Sequence, residues 1–361
     1  MYRSLEVRNF RGLKSLSLDD LGTVNLITGL NDAGKTSLLE AIFLHASGPL
    51  AGLFTVQTLR PSRRQEDIAV GPDSENPWNS LFHGFNTSEP IEIEAKTSVG
   101  PRRLRIAEDN IVGSVGGAGG APSSGNQVPQ TSVLVLTKSG NSAEQRFRQS
   151  MIVRSGSNAA GPTMSIEFRL DPQEAEPFFR AAFVKNVTLG SDLAAGFSGL
   201  RKAAGGVDLL KALQEIDERI EHLEVLVENG RPQLHAEIAG VLVPFQLLGD
   251  GPNAVAQYLV SMVNAKGGVL LIDEIGSGVH HTLLPAMWRS LYRAAKRLKV
   301  QVFATTHSQE AVIAAQEMIH DSADALVVHR LRRRAGDEKT HVGSFSGSKL
   351  KTAVDANADL R

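Results

Sequence analysis

Apolar and polar residues alternate from Tyr2 to Arg8 and again from Leu13 to Leu18, with Arg11-Gly12 at the turn between them. That pattern predicts two paired strands covering the edge of a sheet. An apolar strand, Val24 to Thr28, then runs through Gly29-Leu30-Asn31-Asp32-Ala33-Gly34-Lys35-Thr36 into an apolar helix containing Leu38, Leu39, Ala41, Ile42 and Leu44. Alternation returns at Pro90 to Lys96, Leu104 and Ile106, Ser132 to Leu136, Phe147 to Val153 and Met164 to Leu170, which predicts an antiparallel β meander over 90–170. Two stretches rich in small polar residues, 113–131 and 155–162, have little to bury and are expected as flexible loops.

From Val207 the period changes. Leu209, Leu213, Ile216, Ile220, Leu223 and Val227 are spaced by alternating fours and threes, so 171–245 reads as a helical insertion with a core-facing seam. Residues 246–361 resume the first pattern. Leu248-Gly249-Asp250-Gly251-Pro252 opens a helix, Val269 to Ile272 is a buried strand ending in Asp273-Glu274, and Val300 to Ala304 is another ending in Thr305-Thr306-His307-Ser308. The whole reads as an α/β chain, 1–361, with a mixed sheet at its centre.

The first loop carries chemistry. Backbone N–H groups of Gly29, Asn31, Asp32, Ala33, Gly34, Lys35, Thr36 and Ser37, at a tight turn opening a helix, form a cradle for a polyphosphate. Lys35 is placed to reach the β- and γ-phosphates, and the Thr36 hydroxyl to ligate the Mg²⁺ that bridges them. An acidic strand end complements this. Asp273 is expected in the Mg²⁺ shell, Glu274 as the group that polarises the attacking water, and His307 as a polar sensor of the same γ-phosphate. ATP and Mg²⁺ are thus the expected cofactors, and Glu274, His307 and Lys35 the catalytic set.

Composition narrows the partners. Lys plus Arg is 38 and Asp plus Glu 39, a net charge of −1, so no global field draws the protein to DNA or to an anionic membrane. DNA contact would need a local patch, for which Arg60, Arg63, Arg64, Arg102, Arg103, Arg105 and Arg332 to Arg334 are the candidates. The absence of cysteine excludes disulfides and thiolate metal sites. With no long apolar run and no apolar leader, a cytoplasmic chain is expected, without membrane contact. No G-x-S-x-G occurs, and His280-His281 lack a ligand-spaced partner, so serine-hydrolase and zinc chemistry find no support.

Taken together, GLNDAGKT, LLGDGPN, VLLIDEIGSGVHH and VFATTHS resemble the ABC/SMC-like ATPase heads, in the branch of the overcoming-lysogenization-defect (OLD) nucleases and their stand-alone relatives. The resemblance implies a head-to-tail homodimer around two ATPs, with Gly249, Asp250 and Gly251 in the signature position that caps the partner's nucleotide. Asp250 departs from the commoner Leu-Ser-Gly-Gly-Gln, and puts a carboxylate where like charge meets phosphate. No Asp-x-Asp pair occurs, so the Toprim nuclease of the OLD proteins is expected to be missing and a separately encoded effector, a nuclease or toxin, to take its place. A RecF-like DNA-repair clamp is the alternative.

Overall fold

The computed structural model describes residues 1–47, 52–53, 55–56, 78–109, 130–140, 144–158, 161–171, 177–185, 191–202, 209–316, 325–334, 336–356 and 358–360. The expected loop at 113–131 lies outside them up to residue 129, as do Arg60, Arg63 and Arg64.

Strands β1 (Tyr2–Phe10) and β2 (Leu13–Leu18) pair antiparallel, as their alternation predicts. They open a seven-stranded antiparallel sheet that continues through the meander β4 (Ile91–Thr97), β5 (Gly100–Asp109), β6 (Gln130–Ser139), β7 (Glu144–Asn158) and β8 (Gly161–Asp171). Of the expected loose stretch at 155–162, the described residues are instead paired backbone, since Ser155 to Asn158 match Met164 to Gly161. Ladder hydrogen bonds form between backbones whatever the side chains, so small polar residues extend the hairpin.

The second sheet has six strands in the order β16 (Thr340–Ser346), β15 (Leu326–Arg333), β3 (Val24–Gly29), β14 (Gln301–Thr305), β13 (Val269–Asp273) and β9 (Ala181–Lys185). All but β16 run parallel. Both faces of β3, β13 and β14 are buried, which is why these strands are mostly apolar. Leu270, Ile272, Val302 and Ala304 join a core with α4 (Asp250–Asn264) and α5 (Leu284–Leu298), whereas Val269, Leu271 and Phe303 join one with α1 (Lys35–Ala46) and the seven-stranded sheet.

The insertion differs from its expected helical form. It contributes β9 to the central sheet, then α2 (Ser191–Lys202) and α3 (Leu209–Gln214), and then a three-stranded antiparallel sheet of β10 (His222–Glu228), β11 (Arg231–Ile238) and β12 (Val241–Pro244). The seam residues Leu209, Leu213, Ile216, Ile220 and Leu223 are buried as predicted, but the chain turns at Asp217, whose carboxylate accepts from the Arg219 backbone at 3.1 Å. Beyond it, Asn229-Gly230, both at positive φ, closes a two-residue hairpin, and that local preference outweighs the helical spacing. Two short helices, α6 (Gln309–Ala315) and α7 (Gly347–Asp355), complete the fold. Among the described residues, no helix is long and apolar enough to cross a membrane.

Two fully buried imidazoles sit in the core, one on α1 against β1 and one within the six-stranded sheet. His45 accepts from the Tyr2 hydroxyl at its Nδ1, 2.7 Å, and burial, with the charges of Lys138 and Arg102, pulls it down to about 3. Burial likewise lowers His329, beside Ser344 and Asn25, to about 4. Each is neutral when folded and takes a proton when unfolded below about pH 6.5, so their stabilisation is complete above that pH and lost as pH falls toward the folded values. The expected slope is roughly 1.4 kcal/mol per pH unit for each group. Urea midpoints should fall between neutral pH and about pH 5, and fall less steeply in a His45→Gln, His329→Asn double variant; equal slopes would contradict this origin.

Candidate functional site

Parallel pairing brings the sheet's carboxyl ends to one edge. Ile27 lies opposite Thr305, and Ile272 opposite Ala304, so the residues that follow β3, β13 and β14 emerge side by side. Ligand sites of open α/β sheets form at such an edge.

Gly34 begins α1 at φ 96°, with a place for a Cβ only 2.5 Å from Leu13 Cδ2. A side chain there would meet both strain and a clash. No side chain caps α1 and its first turn holds no carboxylate, which leaves a helix N-terminus open to an anion. Lys35, 8% exposed, donates its Nζ to the carbonyls of Gly29 (2.7 Å) and Leu30 (3.1 Å), folded over the loop it belongs to. A cation beside an uncapped helix start, among exposed Asn31 and Asp32 and buried Ala33 and Ser37, fits a polyphosphate.

The loop is anchored from behind. Arg11 Nε lies 3.0 Å from the Glu40 carboxylate of α1, and both side chains are nearly or wholly buried. The Arg11 amide also donates to the Leu81 carbonyl at 2.8 Å.

A run of hydrogen bonds links the two halves of the chain. The Thr36 hydroxyl donates to the Asp273 carboxylate, 3.2 Å to Oδ1 and 3.1 Å to Oδ2. Thr305 donates its hydroxyl proton to Asp273 Oδ1 at 2.7 Å and accepts from the Glu274 amide at 2.9 Å. Glu274 stands in the left-handed region, φ 58°, where a residue with a Cβ is strained. Its Oε2 meets His307 Nδ1 at 2.7 Å, and both side chains face solvent, 39% and 66% exposed. Thr305 has no place among the expected site residues. Its signal was the register alone, which sets it beside the strand that ends at Asp273.

Oxygens of Thr36 and Asp273 at this separation suit adjacent places in a Mg²⁺ octahedron, which are about 2.9 Å apart for bonds of 2.0–2.1 Å. Among the described residues no group of three or more His, Cys, Asp or Glu could hold a metal by itself. A hard cation that shares its shell with phosphate and water needs only one or two protein ligands.

Gly249, Asp250 and Gly251 stand at the start of α4. Asp250 rests on Gly278, where an added Cβ would be 3.0 Å from its own. Farther along α4, the Tyr258 hydroxyl, pushed up to about 12 by burial, bonds the Gly276 backbone. Helix α4 therefore packs on the turn that follows Glu274. Among the described basic candidates, several have partners. Arg103 pairs with Glu92 (2.6 Å) and Glu94 (3.1 Å), Arg105 lies 3.8 Å from Glu92, and Arg333 donates to the Gly12 carbonyl.

Known proteins share these features. A family model described as "AAA ATPase domain" matches residues 1–96, and one described as "AAA domain, putative AbiEii toxin, Type IV TA system" matches residues 186–314. The chain is 22% identical over 349 residues to an ATP/GTP phosphatase of Helicobacter pylori, with 89% of each protein covered. It is 33% identical over 106 residues to the DNA replication and repair protein RecF of Pseudoalteromonas translucida, covering 28% of this chain and 25% of that one. An SMC head, solved bound to the C-winged helix domain of ScpA, superposes with a TM-score of 0.50 at 14% identity, covering 97% of this chain and 99% of that one. The architecture is thus that of an SMC head. Models of AAA-type ATPase domains match two parts of that architecture, residues 1–96 and 186–314.

Glu40→Ala should destabilise the fold by about 3–5 kcal/mol, because it strands the buried Arg11 charge. Arg8→Ala, which breaks the exposed pair with Glu6, should change stability by less than about 1 kcal/mol. Chemical denaturation compares the two, and equal losses would place the Arg11–Glu40 pair among ordinary surface contacts.

Proposed function

We propose that the chain is a Mg²⁺-dependent ATP hydrolase that dimerises head-to-tail around two ATPs and switches a separately encoded effector, a nuclease or toxin, in anti-phage defence, as a relative of the OLD branch. The observation that carries the catalytic part is the hydrogen-bonded run from Thr36 through Asp273 and Thr305 to Glu274 and His307. In this reading Lys35 would turn from the loop carbonyls to the β- and γ-phosphates, while Thr36 and Asp273 would hold Mg²⁺, whose charge would offset that of the transferring phosphoryl group. Glu274 takes the proton of the water whose oxygen adds to the γ-phosphorus, and the bond to the β–γ bridging oxygen breaks. His307 holds the Glu274 carboxylate in place and senses the γ-phosphate.

Head-to-tail dimerisation would give the Gly249–Gly251 turn a nucleotide to cap, as the resemblance to ABC/SMC-like heads implies. The RecF relatives favour a second reading, an ATP-dependent DNA clamp, although the RecF match spans only about a quarter of that protein. Pairing of Arg103 and Arg105 with carboxylates weakens the basic patch that such a clamp would use.

Glu274→Gln should lower turnover by roughly 10²–10⁴-fold while retaining ATP, the cost of removing a general base. With Mg²⁺ and ATP that variant should double in mass by light scattering; an unchanged monomer would count against the dimer. Proteins and nucleic acid retained with it from its host distinguish the readings: a stoichiometric nuclease or toxin supports the switch, and DNA with repair factors supports the clamp. Thr305→Val should lower turnover by about 10–100-fold, because Asp273 and the Glu274 amide lose their shared hydroxyl. Unaltered turnover would remove Thr305 from the account.

A further inference from the structure

One buried amide holds the turn that opens α4. Gly249 joins the short 3-10 helix Phe245–Leu248 to α4 at φ 88° and ψ 175°, a conformation open to glycine and costly to other residues. No side chain caps the helix. Asn253, 1% exposed, reaches back from inside it. Its Nδ2 donates to the Gly249 carbonyl at 2.7 Å and lies 3.4 Å from the carbonyls of Phe245 and Gln246.

The other end of the amide is revealing. Asn253 Oδ1 is buried with no hydrogen-bond partner, an arrangement that costs stability. Flipping the amide would aim Oδ1 at three carbonyl oxygens, so its orientation is set by the donors alone. An apolar side chain would fill this place without the unpaired acceptor, and packing therefore gives no reason for an asparagine. Fixing the turn does. Asp250, exposed on that turn, rests on Gly278, so the segment is held from within α4 and from the loop after Glu274.

We infer that Asn253 is a positioning residue: it fixes the Gly249–Gly251 turn in the geometry that contacts ATP bound by a second copy of the chain. This rests on the head-to-tail dimer proposed above. Asn253 itself touches neither nucleotide nor reacting atoms.

The test uses the full chain carrying Glu274→Gln, with and without Asn253→Asp, which keeps the shape but turns the donor into an acceptor facing three carbonyls. Asn253→Ala serves if the aspartate variant does not fold. Dimerisation in Mg²⁺ and ATP is read by sedimentation, and the affinity of the dilute monomer for a fluorescent ATP analogue is read separately. Dimer affinity should fall by about tenfold or more, with monomer affinity for nucleotide within about twofold. With Glu274 intact, kcat should fall while KM holds. Unchanged dimerisation, or an equal loss of nucleotide affinity in the monomer, would overturn the role of Asn253. If Glu274→Gln alone stays monomeric with ATP, the dimer itself falls and this inference with it.

Discussion

The contact between the Thr36 hydroxyl and the Asp273 carboxylate is the link on which the remainder of the site depends, since it joins residues 237 apart in sequence. Each belongs to a different strand–helix unit, and neither unit has the chemistry of the site alone. A loop with an uncapped helix start gives anion affinity; a strand ending in carboxylates gives metal affinity. Parallel strands that finish at one edge make the two a single site.

The same edge explains the strain stored there. Glu274 is held at positive φ by the Thr305 hydroxyl, which its amide needs, and by the following turn, which packs under α4 through Gly276 and Gly278. Surroundings must over-determine such a residue for it to persist. Here they do so with a side chain from β14 and a helix from the other half of the insertion boundary. The pair of Glu274 and His307 is thereby left at the surface.

Much of this was legible in the chain. The phosphate loop was, because the backbone geometry it requires restricts Gly34 and its neighbours to very few residue types. The central strands were as well, because burial on both faces leaves only apolar residues. Thr305 was not: a threonine ending a strand carries no signal until register sets it beside Asp273. Nor was β9, whose Ala-Ala-Phe-Val-Lys is short and without alternation, and becomes a strand by pairing with β13. The helix expected through Val227 failed for the opposite reason. Buried residues at helical spacing also arise where a short helix, a turn and a strand follow one another, and Asn229-Gly230 marked the hairpin.

The central claim is that the loop and the acidic strand end act together on one Mg²⁺–nucleotide complex. Its most direct test is calorimetric titration of ATP, with and without Mg²⁺, into the native chain and into Asp273→Asn. The account predicts that Mg²⁺ strengthens ATP binding to the native chain, and that Asp273→Asn abolishes most of this gain while metal-free ATP binds at least as well as before. A gain from Mg²⁺ of the same size in both proteins would contradict it.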